Sequence, residues 1–309
     1  MRYKITKKFL IFWCLFVGIG AVFGSTCMFI DPTGNILQMH SILPYFKVLP
    51  FSNILFQNYL IPGILLLIIN GISNLTAVCL LLKNKKIGII LGTIFGLTLM
   101  LWITVQFIIL PTNVLSISYF IIGLIQFLTG YMTYVFYMQE QFKFNINDYQ
   151  NIGKNKDILV VYFSRMGYTK KIAYEEAERQ KADIIMLNPK EKTENTSGFW
   201  WCGRYGMHKW PMPIEDINID LKSYKKIIIV SPIWVFSIAA PIREFCYKYK
   251  KDINSVEYVL VHFMKASFKN VAFEVDQILG KKHKKITSVC MQLGKIKKKI
   301  KIDKEKRNI

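Results

Sequence analysis

The chain has 309 residues, 52% of them hydrophobic, yet it carries 41 lysines and arginines against 20 aspartates and glutamates, a net charge of +21. That length suits two compact units, and the apolar content excludes intrinsic disorder. Apolar composition combined with strong positive charge points to a membrane protein whose charge faces an anionic leaflet, and away from a plain soluble enzyme. The charge is unevenly spread: nine basic residues precede residue 151 and thirty-two follow it. The two halves are built for different solvents.

Four apolar runs occupy the first half: Phe9–Ile30, Leu60–Leu82, Ile87–Leu110 and Leu115–Met138. None contains Asp, Glu, Lys, Arg or His, and each exceeds the ~20 helical residues that cross a bilayer's hydrocarbon core. Four transmembrane helices are expected. The first run is too long for a typical signal peptide, and Gly24-Ser25-Thr26 makes a poor cleavage site, so it is read as a retained helix. Basic residues cluster before the first run (Arg2, Lys4, Lys7, Lys8) and between the second and third (Lys83, Lys85, Lys86). By the positive-inside rule both termini, and everything after Met138, are expected on the cytoplasmic side of the cell membrane. Segment 31–58 would lie outside, with its apolar residues resting on the interface.

Within the runs, Gly88, Gly92 and Gly96 share one helix face, as do Gly20 and Gly24, which permits close helix approach. Asn70 and Asn74 share a face of the second run, and Gln106 and Gln126 lie in the third and fourth. These amides suit either interhelical hydrogen bonding or a quinone headgroup. With no histidine in any run a bis-histidine haem is excluded, and with no intramembrane carboxylate an ion-coupled pump is disfavoured. The six cysteines show no metal or cluster spacing and read as packing residues.

Residues 139–156 are polar and read as a linker. From Ile158 the pattern alternates strand, loop and helix, with apolar β-branched runs at Ile158–Phe163, Asp183–Leu187, Lys226–Ser231, Val256–Phe263 and Ile286–Leu293. That alternation predicts a doubly wound parallel sheet of five strands, with ligands at the strands' carboxyl ends. At the first such end, Ser164, Gly167 and Thr169 form a candidate phosphate cradle. Glycine allows the tight turn, successive N–H groups face the anion, and the helix N-terminus adds positive potential.

The stretch Tyr162–Ala173 (YFSRMGYTKKIA) resembles the phosphate loop of the flavodoxin family, and Ile227–Trp234 (IIIVSPIW) resembles that family's third strand and flavin loop. The resemblance covers roughly Asp157–Leu293 and implies bound FMN. It implies that Ser164, Arg165, Met166, Gly167, Tyr168 and Thr169 hold the phosphate, that Pro232, Ile233, Trp234 and Phe236 flank the isoalloxazine, and that His262, Phe263 and Lys265 belong to the opposite wall. Met166 stands where the family has a hydroxyl residue, and the loop after the fourth strand lacks the family's glycines. Lys265 would favour an anionic hydroquinone. The implied function is a membrane-anchored, FMN-binding electron carrier whose partner is a redox protein or quinone. Two alternatives stay open: an FMN-dependent oxidoreductase, quinone-linked or like protoporphyrinogen oxidase, and a degenerate, non-catalytic sensor. No catalytic acid, base, nucleophile or metal site is expected. Residues 294–309 read as a basic tail drawn to anionic lipid at the cytoplasmic leaflet. Nucleic acid is not expected as a partner, because no aromatic residues interleave with the lysines.

Overall fold

The structure is a computed structural model that describes residues 2–303; residues 304–309, the end of the expected basic tail, lie outside the described residues. The chain divides into two compact units, residues 1–141 and 142–309.

The first unit contains four long helices: α1 (Arg2–Ile30), α2 (Leu60–Leu82), α3 (Lys86–Ile109) and α4 (Val114–Glu140), each long and apolar enough to cross a membrane. A 3-10 segment (His40–Val48) and one helical turn (Ser52–Leu55) lie between α1 and α2. Small residues set the spacing of α3 and α4. A Cβ on Gly96 would stand 2.6 Å from the backbone nitrogen of Phe127, so any larger residue would force the helices apart. The two amide readings separate here. Gln126 Nε2 donates to Asn74 Oδ1 (2.8 Å) and to the carbonyl of Gly92 (3.0 Å), so this pair joins three helices. Asn70 makes no such bond. It lies in a π-helical turn, Leu67–Ile72, within α2.

The second unit is an α/β domain. Its strands are β1 (Asn155–Tyr162), β2 (Ala182–Met186), β3 (Lys226–Trp234), β4 (Ser237–Ile238), β5 (Val256–His262), β6 (Lys285–Gln292) and β7 (Lys295–Asp303). Its helices are α5 (Tyr168–Gln180), α6 (Asn195–His208), α7 (Ala240–Tyr249) and α8 (Lys269–Leu279). The sheet runs β2-β1-β3-β5-β6-β7, and β4 pairs with β3. Leaving out the short β4, the parallel strands follow the flavodoxin-like doubly wound order. The runs read as strands are buried on both faces: Leu159, Ile227 and Ile229 pack into one core, while Val160, Ile228 and Val230 pack into the other. This two-sided burial accounts for their continuous apolar character.

The five expected parallel strands are present, but the count of five needs correcting. Lys295–Asp303, expected as tail, forms β7 and extends the sheet antiparallel to β6. The connection is a two-residue turn in which Leu293 (φ 48°) and Gly294 (φ 83°) are both left-handed, the geometry of a type I′ hairpin. At the other boundary α4 continues through Glu140, β1 begins at Asn155, and the polar stretch between them holds a short 3-10 turn, Ile146–Asp148.

Candidate functional site

Strands β1, β3 and β5 are parallel neighbours, so the loops leaving their carboxyl ends emerge along one edge of the sheet. The loop after β1 contains Ser164, Arg165, Met166 and Gly167, all half-buried, and Thr169 is buried at the start of α5. Gly167 is the N-cap of α5 at φ 85°, in the left-handed region where side chains are strained. A Cβ there would meet only the Phe142 ring, at 3.5 Å, so glycine is required for its backbone conformation and not for space. The Gly167 N–H donates to Ser164 Oγ (3.1 Å), which closes the loop on itself. The first-turn amides of α5 have no intrahelical acceptor and face the loop, which is what an anion needs. Tyr168 packs its ring edge against Phe142 (4.8 Å), and its buried hydroxyl has no partner; burial raises its pKa. Arg165 is engaged elsewhere, with its guanidinium 5.2 Å from the Phe199 ring of α6.

The loop after β3 is a tight hairpin. Ile233 pairs with Ile238 and Trp234 with Ser237, leaving Val235 (φ 46°) and Phe236 (φ 60°) as the two turn residues. Two adjacent left-handed non-glycine residues, one of them β-branched, mark real backbone strain, which persists only where the surroundings impose it. They are imposed here from below. Arg243 is buried in α7; it donates to Ser237 Oγ (2.5 Å) and pairs with Glu274 of α8 (2.7 Å). Ser231 Oγ accepts from the Ala239 N–H at 3.1 Å. Trp234, half-buried, meets Phe163 edge-on (5.3 Å). Phe236 is 67% exposed. Helix α6 lies against this hairpin through Gly206, where a Cβ would be 2.9 Å from the Trp234 carbonyl oxygen. Its outer face exposes Phe199, Trp200, Trp201 and Met207, and Trp210 follows.

In the loop after β5 the assignments divide. Phe263 and Lys265 are exposed. The His262 ring is buried, with Nδ1 bonding the Met264 carbonyl (2.5 Å) and Nε2 bonding Ser288 Oγ (2.7 Å). Burial lowers its pKa, against the opposing Met264 bond. With both ring nitrogens bonded, His262 ties the loop to β6 from inside. Sequence reasoning missed Phe268, which is left-handed (φ 49°) and lies 4.7 Å from the His262 ring and 6.4 Å from Phe236. It joins the β3 and β5 loops, and nothing in its local pattern separates it from an ordinary helix-preceding residue.

Two cysteine thiols of the α/β domain offer little nucleophilic character. Burial pushes Cys202 up to about 11 and Cys246 up to about 12. Among the described residues no cluster of three His, Cys, Asp or Glu side chains could hold a metal ion.

No protein-family model matches the chain, and no curated protein matches it. Solved structures do. A candidate flavoprotein of Bacteroides eggerthii is similar at 21% identity and a TM-score of 0.37, over 43% of this chain and 86% of that one. A flavoprotein of Lactobacillus acidophilus crystallised in complex with FMN is similar at 20% identity and a TM-score of 0.36, over 44% of this chain and 93% of that one. A candidate flavoprotein of Bacteroides uniformis matches at 18% identity and a TM-score of 0.37, over 45% and 96%.

Proposed function

We propose that this chain is a membrane-anchored flavodoxin-like protein that binds FMN and carries electrons at the cytoplasmic face of the membrane. The observation that carries the reading is the Ser164–Thr169 loop. It is a closed turn with a left-handed glycine at the head of α5, beside the β3 hairpin, at the carboxyl edge of a sheet in flavodoxin order. The loop's amides and the hydroxyls of Ser164 and Thr169 fit a phosphate, and Trp234 and Phe236 offer aromatic surface to a planar ring. When bound, FMN supplies the redox chemistry. The chain's own residues orient it, hold its phosphate and set its surroundings, with Lys265 contributing positive charge. The four helices would anchor the domain, with sidedness set by the basic residues near Arg2 and Lys83.

A second reading, an FMN-dependent reductase, is favoured by the aromatic outer face of α6. Phe199 is held under Arg165 and Trp200 is 72% exposed, an apolar surface that a planar substrate would cover.

The test is the visible spectrum of the detergent-purified chain, with released cofactor identified. Near-stoichiometric FMN, lost in Gly167→Asp/Thr169→Ala, is expected. A colourless protein that takes up no added FMN overturns both readings and leaves a sensor or scaffold. Substrate-dependent flavin turnover separates the enzyme from the carrier.

A further inference from the structure

The bundle contains two neighbouring cavities of about 340 and 420 Å³, which share Met28, Met39, Leu66, Trp102 and Gln106 in their linings. The larger is almost wholly apolar. The smaller gathers polar groups from three helices: Asn70 of α2, Gln106 of α3, and Ser116 and Tyr119 of α4. Among the described residues no charged side chain lines either cavity.

Asn70 is the informative residue. It is 1% exposed, and neither Nδ2 nor Oδ1 has a hydrogen-bond partner, whereas the neighbouring Asn74 and Gln126 amides bond each other, leaving Gln126 Oε1 alone of that pair without a partner. An amide buried in this way is costly, and such a group calls for an explanation. Its position adds a second anomaly. The π turn Leu67–Ile72 contains Asn70, and the Asn70 backbone carbonyl accepts from Asn74 Nδ2 at 2.9 Å. π turns that interrupt α-helices are frequent at functional sites.

The structure assigns to this bundle a binding site for an uncharged amphiphile. Its hydroxyl-bearing head, which both donates and accepts, sits in the smaller cavity and pairs with the Asn70 carboxamide once that side chain, closed off in the ligand-free chain, turns toward it, and its hydrocarbon tail fills the larger one. An ionised head is excluded by the absence of a counter-charge in the lining. Quinols and long-chain alcohols share the required chemistry. From Tyr119, α4 runs another 21 residues to Glu140, about 30 Å at the helical rise. The site is therefore at the end of the bundle remote from where the chain leaves it. The inference rests on the bundle lying in lipid, and it stands whether or not the α/β domain holds FMN.

The test uses the full chain in detergent and quenching of its tryptophan fluorescence by a brominated dodecanol, read as the difference between the native chain and Trp102→Phe. Dodecanol, a decyl benzoquinol and dodecane then compete. Dodecanol should displace the probe about tenfold better than dodecane, the value of one net buried hydrogen bond. The benzoquinol arm identifies the source: a further gain over dodecanol selects a quinol, and parity selects an alcohol. In Asn70→Leu the preference for a hydroxyl should fall to about one. That variant should also raise the unfolding midpoint of the ligand-free chain, because it removes an unpartnered amide, while Asn74→Leu, which breaks the Gln126 bond, should lower it. Equal displacement by dodecane and dodecanol, or a hydroxyl preference that survives Asn70→Leu, overturns the assignment. The FMN spectrum of each preparation reports separately on the α/β domain.

Discussion

The strained hairpin after β3 gives a quantitative prediction. Val235 occupies φ 46°, where a non-glycine residue costs roughly 1–2 kcal/mol and a β-branched one lies at the upper end. Asparagine tolerates that region by bonding locally, and it is preferred at the first position of a type I′ turn, so Val235→Asn should recover about half the strain. Val235 is 46% exposed, so the lost apolar burial amounts to a few tenths of a kcal/mol. The net gain is about 0.3–0.7 kcal/mol. For a domain of this size that corresponds to a rise of roughly 1–3 °C in the unfolding midpoint. The assay is thermal unfolding of the full chain in detergent, followed by tryptophan fluorescence. Val235→Ala keeps a Cβ in the left-handed region and should gain less than Val235→Asn. A midpoint that falls in Val235→Asn, or an equal rise in both variants, would refute the account of the turn.

Two further outcomes follow from groups beneath the site. Arg243→Ala leaves Glu274 without its buried partner and removes the donor to Ser237, at a cost of about 3 kcal/mol; Lys209, 3.3 Å from Glu274, limits the loss. The double variant Arg243→Ala/Glu274→Ala should be less destabilised than the sum of the two single variants, and additive losses in thermal unfolding would contradict the pairing. Burial depresses the His262 imidazole below its ordinary value, so the unfolded chain takes up a proton that the folded chain resists. Stability should therefore drain as pH falls below about 6.5. His262→Gln should flatten the unfolding midpoint between about pH 7.5 and pH 5.5, and an unchanged slope would show that other groups control it.

The parts of this fold legible in the sequence are those in which neighbouring residues share one environment. Ile227–Val230 is buried along its length and Phe9–Ile30 is apolar throughout, and composition alone records both. Glycine at 167 was legible for a related reason: a tight strand-to-helix turn restricts its residue locally. The rest depends on partners distant in sequence. Lys295–Asp303 reads as a charged tail because its isoleucines, at 296, 300 and 302, are outnumbered by lysines. Only its pairing with β6 makes it a strand, and the local clue is Gly294, the second residue of the two-residue turn. His262 invited a ligand-binding role until Ser288, 26 residues away, supplied its partner. Val235 and Phe236 carry no turn chemistry at all. Their conformation is imposed by Arg243 and Ser231 from outside the loop. Asn70 and Asn74 look alike in sequence, and only the position of Gln126 separates the bonded amide from the unbonded one.

Strand β7 has a consequence for how copies of this protein share space. The outermost strand of a sheet leaves a row of unpaired N–H and C=O groups, a template on which another chain can continue the sheet. Here five of its nine residues are lysine. A second copy approaching edge to edge would bring the two rows of ammonium groups within a strand spacing of about 4.8 Å, where like charges directly opposed are destabilising. The proposed anchoring would confine the domains to the plane of a membrane, raising collision frequency and aligning neighbours, the conditions under which an unguarded edge polymerises. The same lysines that mimic a floppy tail in the sequence thus act as gatekeepers, opposing edge-to-edge pairing of two copies along β7.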